Sequence, residues 1–240
     1  MIVAAATGGD DSRRQNAGMG TIHLVRHAQA SFGSDDYDRL SPLGWQQGRR
    51  LGEHFRAHGM RFEAVFTGTL RRHHETWQAI REGWGEPLDV QVWPGLNEYD
   101  SAALIAALHA PAPGDPHTPE GYRAHFRLLR DALRQWMAGV ISPHGMPSYE
   151  AFRTAAVALL DHVRQTHRGD VLVISSGGPI ATLVAHLLGA SPEVSIELNL
   201  RLRNTAVSEV AHTPKRCTLV SFNTLPHLAA PQHRDWITHA

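Results

Sequence analysis

Short apolar runs alternate with stretches in which apolar residues return every three or four positions. "IHLV" (22–25), "FEAVFT" (62–67), "LDVQVW" (88–93) and "DVLVIS" (170–175) have the length and β-branched content of buried strands. Between them the helical period dominates. Ser41-Pro42 reads as an N-cap and first helical position, and Gly59 as the stop. Leu43, Leu51 and Phe55 share one face there, and Gly44, Gly48 and Gly52 step by four, which predicts a helix lying close against a sheet. A second helix is predicted from about Leu70 to Arg81, and a short one over 101–110. Two longer helices follow over 119–141 and 148–167, with Phe126, Leu129 and Leu133 on one apolar face and Phe152, Ala156 and Leu160 on the other. "GGPIATLVAHLLG" opens a further helix that ends at Gly189. Two last strands, "TAVSEVA" and "TLVSF", are joined by a loop containing Pro214.

Strand and helix in alternation, with long crossovers, predict an α/β fold: a mainly parallel central sheet with helices on both faces. The Pro- and Gly-rich stretch "APAPGDPHTPEG" reads as a loop within a helical insertion. Residues 20–240 are expected to form one domain. Residues 1–19 lack periodicity, are rich in Gly and Asp, and read as a flexible tail, with Met19 as an alternative start of translation.

Composition narrows the function classes. The formal net charge is zero, which argues against a general nucleic-acid binder. No apolar run approaches the length of a membrane span, and no signal peptide is evident. The one cysteine, Cys217, has no partner for an internal disulfide, so a reducing cytoplasm and a small core residue are expected.

In open α/β sheets, ligands sit beyond the carboxyl ends of strands. Arg26 and His27 follow the first strand directly. A guanidinium is a rigid fork for phosphate oxygens, and a neutral imidazole beside it is a competent nucleophile. After the second strand come Arg71, Arg72, His73 and His74, a basic start that works against the helix dipole unless an anion lies nearby. Glu98 follows the third strand, where a carboxylic acid can protonate a leaving alkoxide. Ser175, Ser176, Gly177 and Gly178 join the fourth strand to a helix start, a place where backbone N–H groups favour an anion.

"LVRHAQAS" resembles the Arg-His-Gly signature of the histidine phosphatase superfamily, in its phosphoglycerate mutase-like branch. "LSPLGWQQGRRLG" is similar to that family's first helix. "VFTGTLRRHHET" resembles its pattern Ser-Ser-x-Leu-x-Arg-Ala-x-x-Thr, which puts the second arginine at Arg72. "GLNE" resembles the acid-bearing segment, and "DVLVISSGGPIATL" the late strand and turn, so the similarity runs from residue 21 to about 223. The resemblance implies a two-step transfer. His27 becomes a phosphohistidine, Arg26 and Arg72 hold the equatorial oxygens, and Glu98 acts first as acid and then as base. Ser176 and Gly177 contribute to phosphate binding, and no metal or other cofactor is required. It also marks a departure: the family carries Ser-His-Gly-Gly in the late turn, and here Ser176 stands at the histidine. Losing a transition-state donor of that kind costs roughly a hundred- to a thousand-fold in rate. If Ser176 alone limits the chemistry, Ser176→His is expected to raise turnover; alternatively a histidine elsewhere, His73 or His74, fills the gap. Ala28, Gln29 and Gly33 are smaller departures, the last at a place where mutases often carry an asparagine.

Three readings follow. The first is a cytoplasmic, metal-independent phosphatase acting on a small phosphorylated substrate or a phosphoprotein, as monomer or homodimer, without nucleic-acid or membrane partners. The second is an impaired member that binds a phosphorylated ligand or partner, and the third a phosphoglycerate mutase-type phosphotransferase. Substrate choice is expected to lie in the segments 28–40 and 97–120. Other motifs carry less. His54 and His58 have metal-like spacing but no evident third ligand, and "HRD" at 233–235 stands without a Gly-rich loop. "SSGG" lacks the Gly-x-Ser-x-Gly elbow that a nucleophilic Ser176 would need.

Overall fold

Side chains of a strand alternate between its two faces, and here both faces are apolar. In the computed structural model, which describes residues 19–31, 38–110, 114 and 118–239, strand β1 (Gly20–Arg26) turns Ile22 and Leu24 to one side and Val25 to the other. Strands β2 (Ala64–Thr67) and β4 (Val171–Ser175) do the same, so each must be covered twice. The sheet order is β3-β2-β4-β1-β5-β6, with β3 spanning Val90–Val92, β5 Val207–Thr213 and β6 Arg216–Thr224. β3, β2, β4 and β1 pair in parallel, whereas β5 and β6 add antiparallel at the β1 edge. The expected mainly parallel α/β sheet is therefore present. Register makes its parallel strands end level: Arg26 lies opposite Ser175, and Thr67 opposite Ile174.

Helices α1 (Pro42–Ala57) and α2 (Arg71–Trp84) cover one face through Leu51, Phe55, Trp77, Ile80 and Trp84. Helices α5 (Tyr149–Thr166) and α6 (Gly177–Leu188) cover the other through Leu159, Val163, Ile180 and Leu183. A short helix, α3 (Ser101–Ala106), and a long one, α4 (Pro119–Met137), form the predicted helical insertion. Leu104, Leu129, Leu133 and Trp136 join Phe152 of α5 and Ile196 in an apolar cluster of their own.

Several expectations change. The glycine stripe of α1 meets helix and loop rather than the sheet: a Cβ on Gly48 would fall 2.6 Å from Ala79 Cβ, one on Gly52 2.0 Å from the Ile80 carbonyl oxygen, and one on Gly44 2.2 Å from the Gln29 carbonyl oxygen. The small face thus lets α1 and α2 touch backbone to backbone. Helix α7 (Pro192–Arg201) was not predicted; its Ser191-Pro192 cap is clear, but its apolar stripe is weak because only Ser195 and Ile196 are buried. Helix α2 runs on to Trp84 because Gly85, with φ 84°, supplies the left-handed stop, and α4 ends at Met137 rather than near 141. Cys217 is half-buried at the margin of the core, not inside it. Residues 1–18, most of the expected tail, lie outside the described residues, as do Gly33 and half of the Pro- and Gly-rich stretch. No described helix is long and apolar enough to cross a membrane.

Candidate active site

The level strand ends open into a cavity of about 670 Å³, lined at one end by Arg26, His27, Arg72 and Glu98. Four of the six site residues expected from sequence therefore meet at one place. Arg26 is the last residue of β1, and its guanidinium Nη1 donates to the Leu202 carbonyl. His27 continues the ladder for one more step, its N–H donating to the Ser175 carbonyl at 2.8 Å. Its own carbonyl accepts from the Asn204 side chain at 3.1 Å. The chain is thus pinned on both sides of the imidazole.

The imidazole has a defined tautomer. Nδ1 lies 2.8 Å from the Ala28 carbonyl oxygen, which can only accept, so Nδ1 carries the proton and Nε2 keeps its lone pair. Burial holds the ring neutral well below the usual histidine range, and the positive charges of Arg72 and Arg26 act in the same direction.

Arg72 sits in the first turn of α2 and is oriented by Asp38, with Nη1 2.6 Å from Oδ1. Asp38 also accepts the Arg71 N–H at 2.8 Å, while the Arg71 side chain turns outward to Glu75 at 2.6 Å. The two adjacent arginines are thereby assigned: Arg72 faces the cavity, and Arg71 does not. Thr76 ties this turn to the His27 loop, since its hydroxyl accepts the Ala28 N–H at 3.0 Å and donates to the Arg72 carbonyl at 2.7 Å.

Glu98 follows a 3₁₀ turn (Pro94–Leu96) after β3. Its two carboxyl oxygens lie 3.1 and 3.2 Å from the Gly178 N–H, the second residue of α6. Burial raises its pKa; the Gly178 N–H and the two guanidiniums oppose that without reversing it. It keeps its proton to higher pH than an ordinary glutamate.

Ser176 and Gly177 occupy the N-terminus of α6, fully buried, and do not line the cavity. The Ser176 hydroxyl makes no cap bond to its own helix. Instead it meets His73 Nε2 at 2.8 Å. His73 is also buried, with its ring centroid 5.8 Å from that of His27. Burial lowers its pKa to about 3, so it is neutral near pH 7.

The rest of the cavity was anticipated in part: Tyr99 falls in the 97–120 segment expected to govern substrate choice. Tyr99, Tyr122, His125, Phe126 and Leu129 line it, with Asn199 and Leu200 of the unpredicted α7. Phe126 and Leu129 were visible as a helical stripe, and Tyr122 extends that stripe by one turn. Its exposure, at 46 %, was the feature that periodicity could not reveal. Among the described residues no group of three or more His, Cys, Asp or Glu side chains is arranged to hold a metal ion.

This fold, with two arginines, a histidine and a carboxyl at its strand ends, forms an α/β site suited to an anionic ligand. Residues 22–225 match the family model of the histidine phosphatase superfamily (branch 1), and the chain belongs to that family. It is 25% identical over 222 residues to the Hydrogenobacter thermophilus protein named "Putative phosphoserine phosphatase 2", covering 87% of this chain and 98% of that one. It is 26% identical to a 2,3-bisphosphoglycerate-dependent phosphoglycerate mutase of Nitratidesulfovibrio vulgaris, over 76% of this chain and 83% of that one. Its fold resembles the crystal structure of phosphoglycerate mutase from Bacillus anthracis, with a TM-score of 0.63 at 18% identity, covering 90% of this chain and 97% of that one.

Proposed function

We propose that the chain is a phosphatase that hydrolyses a phosphomonoester through a covalent phosphohistidine on His27. The observation that carries this is the His27 ring: Nδ1–H is held by the Ala28 carbonyl, and the ring lines the cavity between Arg26 and Arg72. The Nε2 lone pair attacks phosphorus. The two guanidiniums take the charge on the three equatorial oxygens. The bond from phosphorus to the ester oxygen breaks as Glu98 gives that oxygen its proton. Glu98, now a carboxylate, then takes a proton from water, the hydroxide oxygen bonds to phosphorus, and the P–N bond breaks. Inorganic phosphate leaves, with His27 neutral and Glu98 protonated again. The charge on the equatorial oxygens is met by guanidiniums, and the steps as proposed use no metal.

His73 and Ser176 act from behind this set. Their hydrogen bond joins the start of α2, which carries Arg72, to the start of α6, whose Gly178 N–H anchors Glu98. Cationic help comes from the two guanidiniums, since His73 stays neutral.

Two assays test the reading. Hydrolysis of an aryl phosphate, with chelator present, is expected to vanish in His27→Ala, and acid-labile phosphate is expected on the wild-type chain. Undiminished turnover in the variant sinks the proposal. A second reading, a phosphate-binding module without turnover, is favoured by one observation: the serine replaces a chargeable donor. It requires phosphate affinity dependent on Arg26 and Arg72 with no phosphoenzyme formed.

A further inference from the structure

The two ends of the cavity differ in chemistry. Arg26, His27, Arg72 and Glu98 gather at one end, Tyr99 stands beside Glu98, and Tyr122, Phe126, Leu129 and Leu200 dominate the rest, with His125 among them. We propose that the alcohol part of the substrate is uncharged and aromatic or bulky-apolar, and that it packs against Tyr99, Tyr122 and Phe126. This rests on the phosphatase reading of the same site.

Size argues first. A cavity of about 670 Å³ lies within the roughly 300–1,000 Å³ that encloses a drug-sized ligand, and a phosphoryl group alone would leave most of it empty.

Charge argues next. Arg26 and Arg72 are the guanidiniums of the described lining, and both stand at the phosphoryl end. None of the four arginines of α4 lines the cavity: Arg123 pairs with Glu120 at 2.8 Å, Arg130 with Glu197 and Arg134 with Asp131 at 3.4 Å, and Arg127 is exposed. Among the described lining residues no lysine or arginine stands at the apolar end, and the titratable base there is His125, so a carboxylate or second phosphate there would give up hydration without a permanent cation to meet it.

The apolar end is also built to hold shape. The Tyr99 hydroxyl accepts from Asn199 Nδ2 at 2.7 Å, and its ring meets Trp136 and Phe152 edge-on at centroid distances of 6.0 and 6.3 Å. Tyr122 stands 4.6 Å from Phe126, centroid to centroid. Three rings fixed at the mouth of a phosphoryl site form a surface for another ring.

The test uses two esters, 1-naphthyl phosphate and 3-phosphoglycerate. Binding of each to His27→Ala is measured by calorimetry, and hydrolysis of each by the wild type. We expect naphthyl phosphate to bind at least tenfold tighter, with kcat/KM shifted the same way, and Phe126→Arg to narrow or reverse the gap. Equal affinities, or preference for phosphoglycerate, overturn the proposal. If the wild type hydrolyses neither ester, the phosphatase reading falls, and the binding preference measured on the wild-type chain still decides this inference. If His27→Ala fails to fold, the wild-type chain is titrated with both esters in its place, with turnover blocked by cold and short mixing, and the same ratio of affinities decides.

Discussion

His73 Nε2 stands 2.8 Å from Ser176 Oγ, and neither side chain reaches solvent. The family pattern carries alanine where His73 stands and histidine where Ser176 stands, so the imidazole here enters from α2 and not from the α6 turn. This alters what a reversion would do. An imidazole built at position 176 would collide with the one already at 73, so Ser176→His alone is expected to lose stability without gaining turnover. The companion change His73→Ala makes room for it. We expect His73→Ala and Ser176→Ala each to lower kcat about tenfold, and the double alanine variant to be no worse than the poorer single, because both delete one hydrogen bond. His73→Ala/Ser176→His is expected to recover turnover. Measured kcat values that multiply across the two alanine variants would show that the pair does not act as a unit.

Glu98 has separate duties in the two half-reactions, and leaving groups tell them apart. Glu98→Gln cannot protonate an alkoxide or activate water. With an alkyl phosphate, which needs the acid, turnover is expected to fall by about 10²–10⁴. With p-nitrophenyl phosphate, whose phenolate leaves unaided, the variant should release one equivalent of p-nitrophenol in a burst and then stall as phosphoenzyme. Quenched-flow measurement of that first equivalent is the check. Steady turnover at the wild-type rate would remove Glu98 from both roles.

How much of this was legible in the sequence depends on which interactions are local. Arg26 ends a strand, and His27 and Glu98 come after one, and a strand's end is a local property of the chain. The choice of Arg72 over Arg71 was readable only through the family pattern; physically it is settled by Asp38 and Glu75, which bind the two guanidiniums in opposite directions. Beyond Tyr99, the apolar end of the cavity was not legible. Tyr122 and Phe126 have the spacing of core residues, and only the docking of α4 leaves them at a mouth. Helix α7 was missed for a related reason: it buries few side chains, so it writes little periodicity into the sequence.

Gly178 tests whether the Glu98 carboxyl must sit where it does. A Cβ there would fall 2.2 Å from Glu98 Oε1 and 2.6 Å from Tyr99 Cε1. Both neighbours would have to move, and the acid would leave the reacting oxygen. Misplacement of about 1 Å can cost on the order of a hundredfold in rate. Gly178→Ala is therefore expected to lower kcat by about that factor, with phosphate binding through Arg26 and Arg72 retained and KM for an aryl ester raised by the displaced Tyr99 ring. A fold control comes from the melting temperature, and an unchanged kcat in a folded variant would show that the carboxyl position is not critical.

Buried neutral histidines make stability depend on pH in one direction. Burial lowers the pKa of His73 and of His227 to about 3, against an ordinary value of 6.5. Below pH 6.5 the unfolded chain therefore binds protons that the folded chain refuses. The stability these two groups contribute is full above 6.5 and is lost as pH falls toward 3. Each costs roughly 1.4 kcal/mol per pH unit in that window. His227 lies outside the cavity lining, where its Nε2 meets the Thr205 hydroxyl at 2.9 Å, so its share can be removed without touching the phosphoryl groups. The wild type is expected to lose melting temperature steeply between pH 7 and 5, and His227→Gln to lose it less steeply, with its largest stability deficit at neutral pH. Calorimetric melting across that range measures both slopes. Parallel curves for the two chains would mean that His227 does not resist protonation in the folded protein.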